Sequence, residues 1–296
     1  MTLTGRLVRS VSGFYTVRTD EGEFFCRARG VFRKRGVTPL VGDFVTIEVS
    51  DGSGSVVDVA ERRNALLRPP VCNIDALVML VSEAAPRADT SVIDKMAALA
   101  AYHGIEVILL INKCDLEPGD TLFSVYRAAG FPVLRLSALT GDGLESLWPL
   151  IENKCVALAG NSGVGKSELL NALDGGGGPP RAVPGLKTQG PRPTGEVSER
   201  LGRGRHTTRH VELYALPRNV LAADTPGFAA LDTLERIPPE RLGACFLDFR
   251  PYLGKCRFAG CLHGERQRDC AVREAVGAGE IHPSRYAGYL RMLEEE

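Results

Sequence analysis

Five short groups of residues have the types and spacing that phosphate, base or metal chemistry needs. Gly160-Asn161-Ser162-Gly163-Val164-Gly165-Lys166-Ser167 fits G-x-x-x-x-G-K-[ST], a loop whose glycines let backbone N–H groups turn inward around phosphate oxygens. Lys166 is expected to reach the β- and γ-phosphates, and the Ser167 hydroxyl to ligate Mg²⁺. Asn112-Lys113-Cys114-Asp115 fits the guanine-reading pattern N-K-x-D, because the Asp115 carboxylate accepts from two guanine donors that adenine does not present together. A buried acceptor left unpaired by the wrong base costs a kcal/mol or more, which is how such a site discriminates. Ser137-Ala138 stands in the position of a second base-contacting loop, with the Ala138 N–H expected at guanine O6. Asp224-Thr225-Pro226-Gly227 fits D-x-x-G, in which Asp224 holds Mg²⁺ through water and the Gly227 N–H senses the γ-phosphate. Cys256-x₄-Cys261-x-His263-x₆-Cys270 offers three thiolates and one imidazole, the donor set of a closed structural Zn²⁺ site.

The residue that would activate water is less obvious. Phe228 follows D-x-x-G, where a water-orienting glutamine would stand, and a phenyl ring orients no water. His206, beside Thr207 and Thr208, is the alternative: its imidazole is suited to position a water. A histidine that contacts RNA phosphate or merely packs is the competing reading, and either threonine suits the Mg²⁺ position.

These motifs need a parallel sheet to hold them. Ala76–Val81, Ile105–Ile111, Val133–Leu136 and Cys155–Ala159 read as buried strands. Helical patterns over 91–102, 123–129, 144–150 and 168–173 alternate with them. That alternation predicts an α/β sheet with its ligands at the carboxyl ends of the strands, where every nucleotide motif falls. Residues 175–204 hold nine glycines and five prolines and fit no regular element. Residues 181–210 carry seven basic and two acidic side chains, so a basic switch loop is favoured over a simple linker.

Residues 1–68 read as an all-β segment of about five short strands, a small barrel of the OB type. Arg27, Arg29, Arg33, Lys34 and Arg35 with Phe32 form a candidate phosphate-contacting patch, or else a solvated loop. Arg68-Pro69-Pro70 marks the boundary to the α/β segment over 69–235. Residues 236–296 read as mainly helical around the cysteine cluster, with metal expected to hold together a module too small for its own core. Lys+Arg and Asp+Glu number 36 each in 296 residues, so net charge points to no partner and only local patches do. The N-terminal residues lack a signal-peptide core, and no apolar run approaches the roughly 20 residues of a bilayer span. A cytoplasmic protein with reduced thiols, monomeric and without a membrane partner, is expected.

The order of the motifs is the most informative feature. Base reading (112–115, 137–139) precedes the phosphate loop (160–167), the basic switch (205–208) and D-x-x-G (224–227). In ordinary GTPases the phosphate loop comes first, so this chain reads as a circular permutation. With Val41-Gly42-Asp43, Thr194-Gly195-Glu196-Val197-Ser198 and Gly202-Arg203-Gly204-Arg205-His206-Thr207-Thr208, it resembles the RsgA family of small-subunit-dependent GTPases over nearly its whole length. The resemblance implies a circularly permuted P-loop GTPase core, an N-terminal OB barrel and a C-terminal zinc domain. It implies GTP hydrolysis stimulated by the small ribosomal subunit and its rRNA, a role in late maturation of that subunit, and His206 as the hydrolytic residue. The stretch Gly175 to Pro193 looks longer than the family's usual loop. An rRNA-binding module using GTP as a latch, with little turnover, is the alternative.

Overall fold

A computed structural model describes residues 1–30, 32, 36–50, 53–66, 70–175, 211–224 and 236–295. The basic switch loop, His206, Thr207, Thr208, Gly227, Phe228 and Arg33 to Arg35 lie outside the described residues. So do Arg68 and Pro69 of the expected boundary. The chain divides into two compact units: Met1–Asp75 with Ile151–Leu158 and Lys166–Pro226, and Ala76–Leu150 with Ala159–Gly165 and Gly227–Glu296. No helix among the described residues is long and apolar enough to cross a membrane.

In the first unit five strands close on themselves. They are β1 (Thr2–Val11), β2 (Phe14–Thr19), β3 (Gly22–Ala28), β4 (Phe44–Ser50) and β5 (Ser53–Val59). β1 pairs antiparallel with β2 and β4, β2 with β3 and β4 with β5, and the parallel pairing of β3 with β5 completes the ring. Leu7, Val17, Cys26, Val45, Ile47 and Val56 fill it. Closure removes the exposed edges an open five-stranded sheet would present. Strand β1 went unread in the sequence because its register shifts between Leu7 and Arg9, so Leu7 and Val8 are both buried and the alternation breaks. Phe32, expected to lend an aromatic to a surface patch, is 5 % exposed and belongs to the core. An apolar ring is better satisfied buried than in water.

The Val41-Gly42-Asp43 turn ties the barrel to the segment that comes after its last strand. Asp43 is fully buried, and its carboxylate accepts from the Leu40 N–H at 2.7 Å and from Arg62 at 2.7 and 2.8 Å. Short strands β6 (Ala65–Leu66) and β7 (Val71–Cys72) pair just beyond Arg62.

The second unit is built on three parallel strands, β8 (Ala76–Val81), β9 (Glu106–Ile111) and β10 (Val133–Arg135), with β9 in the middle. Between them run α1 (Thr90–Tyr102) and α2 (Asp120–Ala128). Asp89 caps α1 by accepting from the Ser91 N–H at 2.8 Å. The helix expected over 144–150 is a 3₁₀ turn at Leu144–Leu147 running into one turn of α3 (Trp148–Ile151). Strand β11 (Cys155–Gly160) leads into the phosphate-loop motif, and α4 (Lys166–Leu173) follows it. In the first unit β11 pairs parallel with β13 (Val220–Asp224), which pairs antiparallel with β12 (Val211–Leu216). β12 in turn pairs with β1.

The C-terminal elements are α5 (Pro239–Cys245), a 3₁₀ stretch at Leu247–Tyr252, α6 (Ala271–Gly277) and α7 (Pro283–Glu294). Phe246, Phe249, Ile281 and Tyr289 share one core with Ala98 and Leu99 of α1. The C-terminal region is thus held by apolar packing against α1 as well as by whatever its cysteine cluster binds, in keeping with a module too small for a core of its own.

Candidate functional site

Buried strands β8 and β9 fix where the base-reading loops begin. The Asn112 N–H donates to Val81 O at 2.8 Å, and the Leu136 N–H to Ile111 O at 2.9 Å. Asn112 is itself buried, and both ends of its amide are used. Its Nδ2 donates to Val164 O at 2.8 Å, and its Oδ1 accepts from the Ala138 N–H at 2.9 Å. A backbone carbonyl only accepts and an N–H only donates, so the amide orientation is fixed by chemistry. Asn112 is thus a strut between the phosphate loop and the Ser137-Ala138 loop. This revises the role expected of Ala138: its N–H points at Asn112 rather than standing open for guanine O6.

Ser137 is buried and its Oγ accepts from the Thr140 N–H at 3.2 Å, while the Ser137 N–H donates to Asp142 O at 2.9 Å. Lys113 has φ 65°, and its Nζ donates to Ala85 O at 2.7 Å. Burial pushes the Cys114 thiol up, so it is not a reactive thiolate. Asp115 behaves differently from its neighbours. It is exposed, and its carboxylate takes no hydrogen bond among the described residues. A carboxylate held at the end of a rigid strand, with its acceptors unused, suits a ligand with two adjacent N–H donors.

In the phosphate loop Gly160 is packed so closely that a Cβ would fall 2.6 Å from Leu80 O. Gly163 and Gly165 have φ of 75° and 105°, backbone that turns N–H groups where side-chain-bearing residues rarely go. Val164 is buried and anchors the loop, and Asn161 accepts from its N–H at 3.3 Å. Ser162 is exposed. Lys166 and Ser167 open α4, so the motif ends on a helix N-terminus. In the first unit Leu158 of β11 sits in register with Asp224 at the end of β13. Ser167 and Asp224 thus belong to elements at the carboxyl ends of neighbouring parallel strands, and residues with hard oxygen donors suit Mg²⁺.

The four zinc candidates are brought together, with one donor atom from each lying within 4.8 Å of all the others. Tetrahedral Zn²⁺ with bonds of about 2.3 Å to sulfur and about 2.0 Å to nitrogen needs donors about 3.8 Å apart for two sulfurs and about 3.5 Å for sulfur and nitrogen. Cys256 Sγ and Cys270 Sγ are 3.8 Å apart, and His263 Nδ1 is 3.5 and 3.4 Å from them. The cluster fits the ion, with Nδ1 as the imidazole donor. Burial holds the His263 pKa below its usual value, which keeps the ring neutral and able to ligate. Burial pushes the Cys270 thiol up to about 11, so a metal would have to displace its proton. Tyr286 Oη donates to His263 O at 2.8 Å and Tyr289 Oη to Leu262 O at 2.6 Å. Two helix-borne phenols thereby pin the ligand loop onto α7.

Sequence reasoning missed one cluster. Arg285 of α7 is 1 % exposed and pairs with Asp94 of α1 and with Asp248, whose two oxygens lie 3.1 and 3.2 Å from it. Tyr126 Oη also donates to Asp94, at 2.8 Å. The guanidinium lies over the rings of Phe246, Tyr126 and Phe131, at 4.8, 5.3 and 5.3 Å. Burial alone would lower the Arg285 pKa, but the two carboxylates outweigh it and hold the group charged. The signal in the sequence was Asp94, a carboxylate set within the apolar stripe of α1.

A family model described as the RsgA GTPase matches residues 59–234, and one described as the RsgA N-terminal domain matches residues 4–57. A protein of Caldanaerobacter subterraneus named small ribosomal subunit biogenesis GTPase RsgA is 41 % identical, over 99 % of this chain and 95 % of its own. A Bacillus pumilus protein of the same name is 42 % identical, over 98 % of this chain and 96 % of its own. Among solved structures, YjeQ from Thermotoga maritima superposes with a TM-score of 0.80 at 34 % identity, covering 100 % of this chain and 98 % of that one. YloQ, described as a circularly permuted GTPase, gives 0.78 at 32 %, covering 100 % and 95 %.

Proposed function

Because the chain belongs to the RsgA GTPase family, we propose that it hydrolyses GTP to GDP and phosphate in the cytoplasm while bound to the small ribosomal subunit, and acts late in that subunit's maturation. The observation that carries this reading is the Asn112 strut. It joins the phosphate loop at Val164 to the second base loop at Ala138, so one buried side chain sets the spacing between phosphate and base recognition.

Three segments divide the work: a barrel over 1–68, a GTPase core over 69–235 and a zinc-binding region over 236–296. Asp115 reads guanine N1–H and N2–H₂. The backbone from Gly160 to Gly165 cradles the phosphates, and Lys166 neutralises them. Ser167, Asp224 and one of Thr207 and Thr208 hold Mg²⁺, which when bound screens the charge of the phosphate oxygens. The Gly227 N–H reports the γ-phosphate. His206 orients water, since Phe228 has no group that does so. Cys256, Cys261, His263 and Cys270 hold one structural Zn²⁺. The local excess of basic residues over 181–210 meets rRNA phosphate, and stimulation weakens as salt rises.

The test is single-turnover GTP hydrolysis with purified small subunits, with large subunits and with neither. Acceleration by small subunits alone is expected, together with loss of most of it in His206→Ala at nearly unchanged GTP affinity. General acid–base residues contribute about 10²–10⁴-fold, which sets the scale. Equal rates in all three conditions would overturn the subunit-dependent reading. Full acceleration in His206→Ala would remove that residue from the mechanism. Phe228 favours a second reading, a GTP-gated rRNA latch, and that reading predicts binding with negligible turnover throughout.

A further inference from the structure

Taking the rRNA-binding reading as its basis, we infer that the outer face of β2 and β3 is a stacking platform for an unpaired RNA base, with Phe25 as the surface on which the base lies. β2 and β3 run antiparallel, with Phe14 opposite Arg27 and Thr16 opposite Phe25. Tyr15, Val17 and Cys26 face the barrel core, so Phe14, Phe25 and Arg27 share the outer face. The Phe14 and Phe25 rings stack, with centroids 5.2 Å apart and planes inclined by 19°. The Arg27 guanidinium lies over Phe14 at 4.5 Å. The stack ends in water: Phe25 is 61 % exposed.

An exposed phenyl ring is ordinary when isolated. Here it terminates an ordered column of two aromatic rings and a guanidinium. A flat π-face of this kind takes another π-face, and every nucleobase has one. Charge points the same way. On this face Arg18 is matched by Glu23 at 3.3 Å, whereas Arg27 makes no ion pair among the described residues. A guanidinium with no carboxylate partner among the described residues thus lies in one column with an open ring, the pairing that suits a base with its phosphate attached. In a barrel of this type the face of the second and third strands is also a general oligonucleotide surface. A duplex keeps its bases stacked on one another and offers no face to Phe25, so the occupant is a single strand, a loop or a bulge.

The test uses the full chain and a fluorescein-labelled single-stranded oligouridine of about 12 nucleotides, within the range that one such barrel spans. A blunt-ended duplex of the same length, with no unpaired base, is the control. Phe25→Ala is expected to weaken single-strand binding about 5- to 150-fold, as the loss of one stacked base. Phe25→Leu, which keeps apolar bulk without a π-face, should lose nearly as much, and Phe25→Trp should bind at least as well as the unmodified chain. Arg27→Gln should lower the slope of log K against log salt by about 0.7, and Phe25→Ala should leave that slope unchanged. The inference is overturned if the unmodified chain does not bind the oligonucleotide, if Phe25→Leu binds as well as the unmodified chain, or if Phe25→Ala weakens duplex binding as much as single-strand binding. None of those results touches the GTPase reading, which rests on turnover with and without small subunits.

Discussion

The base-reading loops and the Cys/His knot lie in the same unit, and both tie irregular backbone together through side chains. They differ in what is left over. In the first, the Asn112 amide is consumed inside the protein while the Asp115 carboxylate stays exposed with its acceptors unused. In the second, the donor atoms of Cys256, Cys261, His263 and Cys270 turn toward one another within 4.8 Å. A site for a ligand that comes and goes keeps recognition groups facing outward on a rigid support. A site for a resident ion points them inward and closes. The two also rest on different foundations. The base loops hang from buried parallel strands, whereas the knot is built into an apolar cluster: Cys270 shares one core with Phe246, Phe249, Ile281 and Tyr289.

The largest effect is expected where a closed site is opened. Cys261→Ser should reduce zinc, measured by elemental analysis, from about one ion per chain to almost none, since structural sites are four-coordinate. Most of the helical signal should remain by circular dichroism, because Phe246, Phe249, Ile281 and Tyr289 also pack with Ala98 and Leu99 of α1. Complete unfolding of 236–296 would show that the knot and the core are one unit after all. Next comes the exposed reader. Asp115→Asn should exchange guanine for xanthine preference and weaken GTP binding about 10³-fold, read by calorimetry; a polar site facing the wrong analogue discriminates on that scale or more. Equal affinity for ATP and GTP in the unmodified chain would remove Asp115 from base recognition.

Asn112→Ala probes the strut rather than the reader. Two buried partners, Val164 O and the Ala138 N–H, lose their bonds at about 1–3 kcal/mol each. GTP affinity should fall about 10- to 100-fold with the guanine-over-xanthine preference intact. A change of preference would mean that Asn112 itself touches the base. The smallest effect is expected at the pins of the knot. Tyr289→Phe removes one hydrogen bond to Leu262 O and should destabilise by about 1 kcal/mol, seen as a slightly lower melting temperature with zinc retained.

The parts legible in the sequence are those fixed by local pattern. β8, β9 and β11 are buried along most or all of their length and read as unbroken apolar runs, and the motifs at their ends follow from spacing. The knot was legible because its four donors lie within 15 residues. What escaped depends on partners distant in sequence. The aromatic chosen for the barrel surface was Phe32, which is buried. The exposed ring is Phe25, and the alternation Glu23, Phe25, Arg27 against Cys26 would have pointed to it. Nothing local announced that Ala138 gives its N–H to Asn112, or that Asp94 waits for Arg285.

That last pairing bears on when the molecule can finish folding. A chain is made from its N-terminus, and units fold as they are completed. The barrel's five strands all lie before residue 60, so every pairing that closes it, Thr2 with Glu48 and Cys26 with Gly54 included, is available early. Asp94 is separated from Arg285 by 191 positions, and the arginine lies in α7, the last helix among the described residues. Until Arg285 is made, Asp94 lacks the cation it meets in the folded interior. The barrel is available as soon as its own segment is made, whereas the interior that joins α1 to α7 waits for a segment 191 positions beyond Asp94.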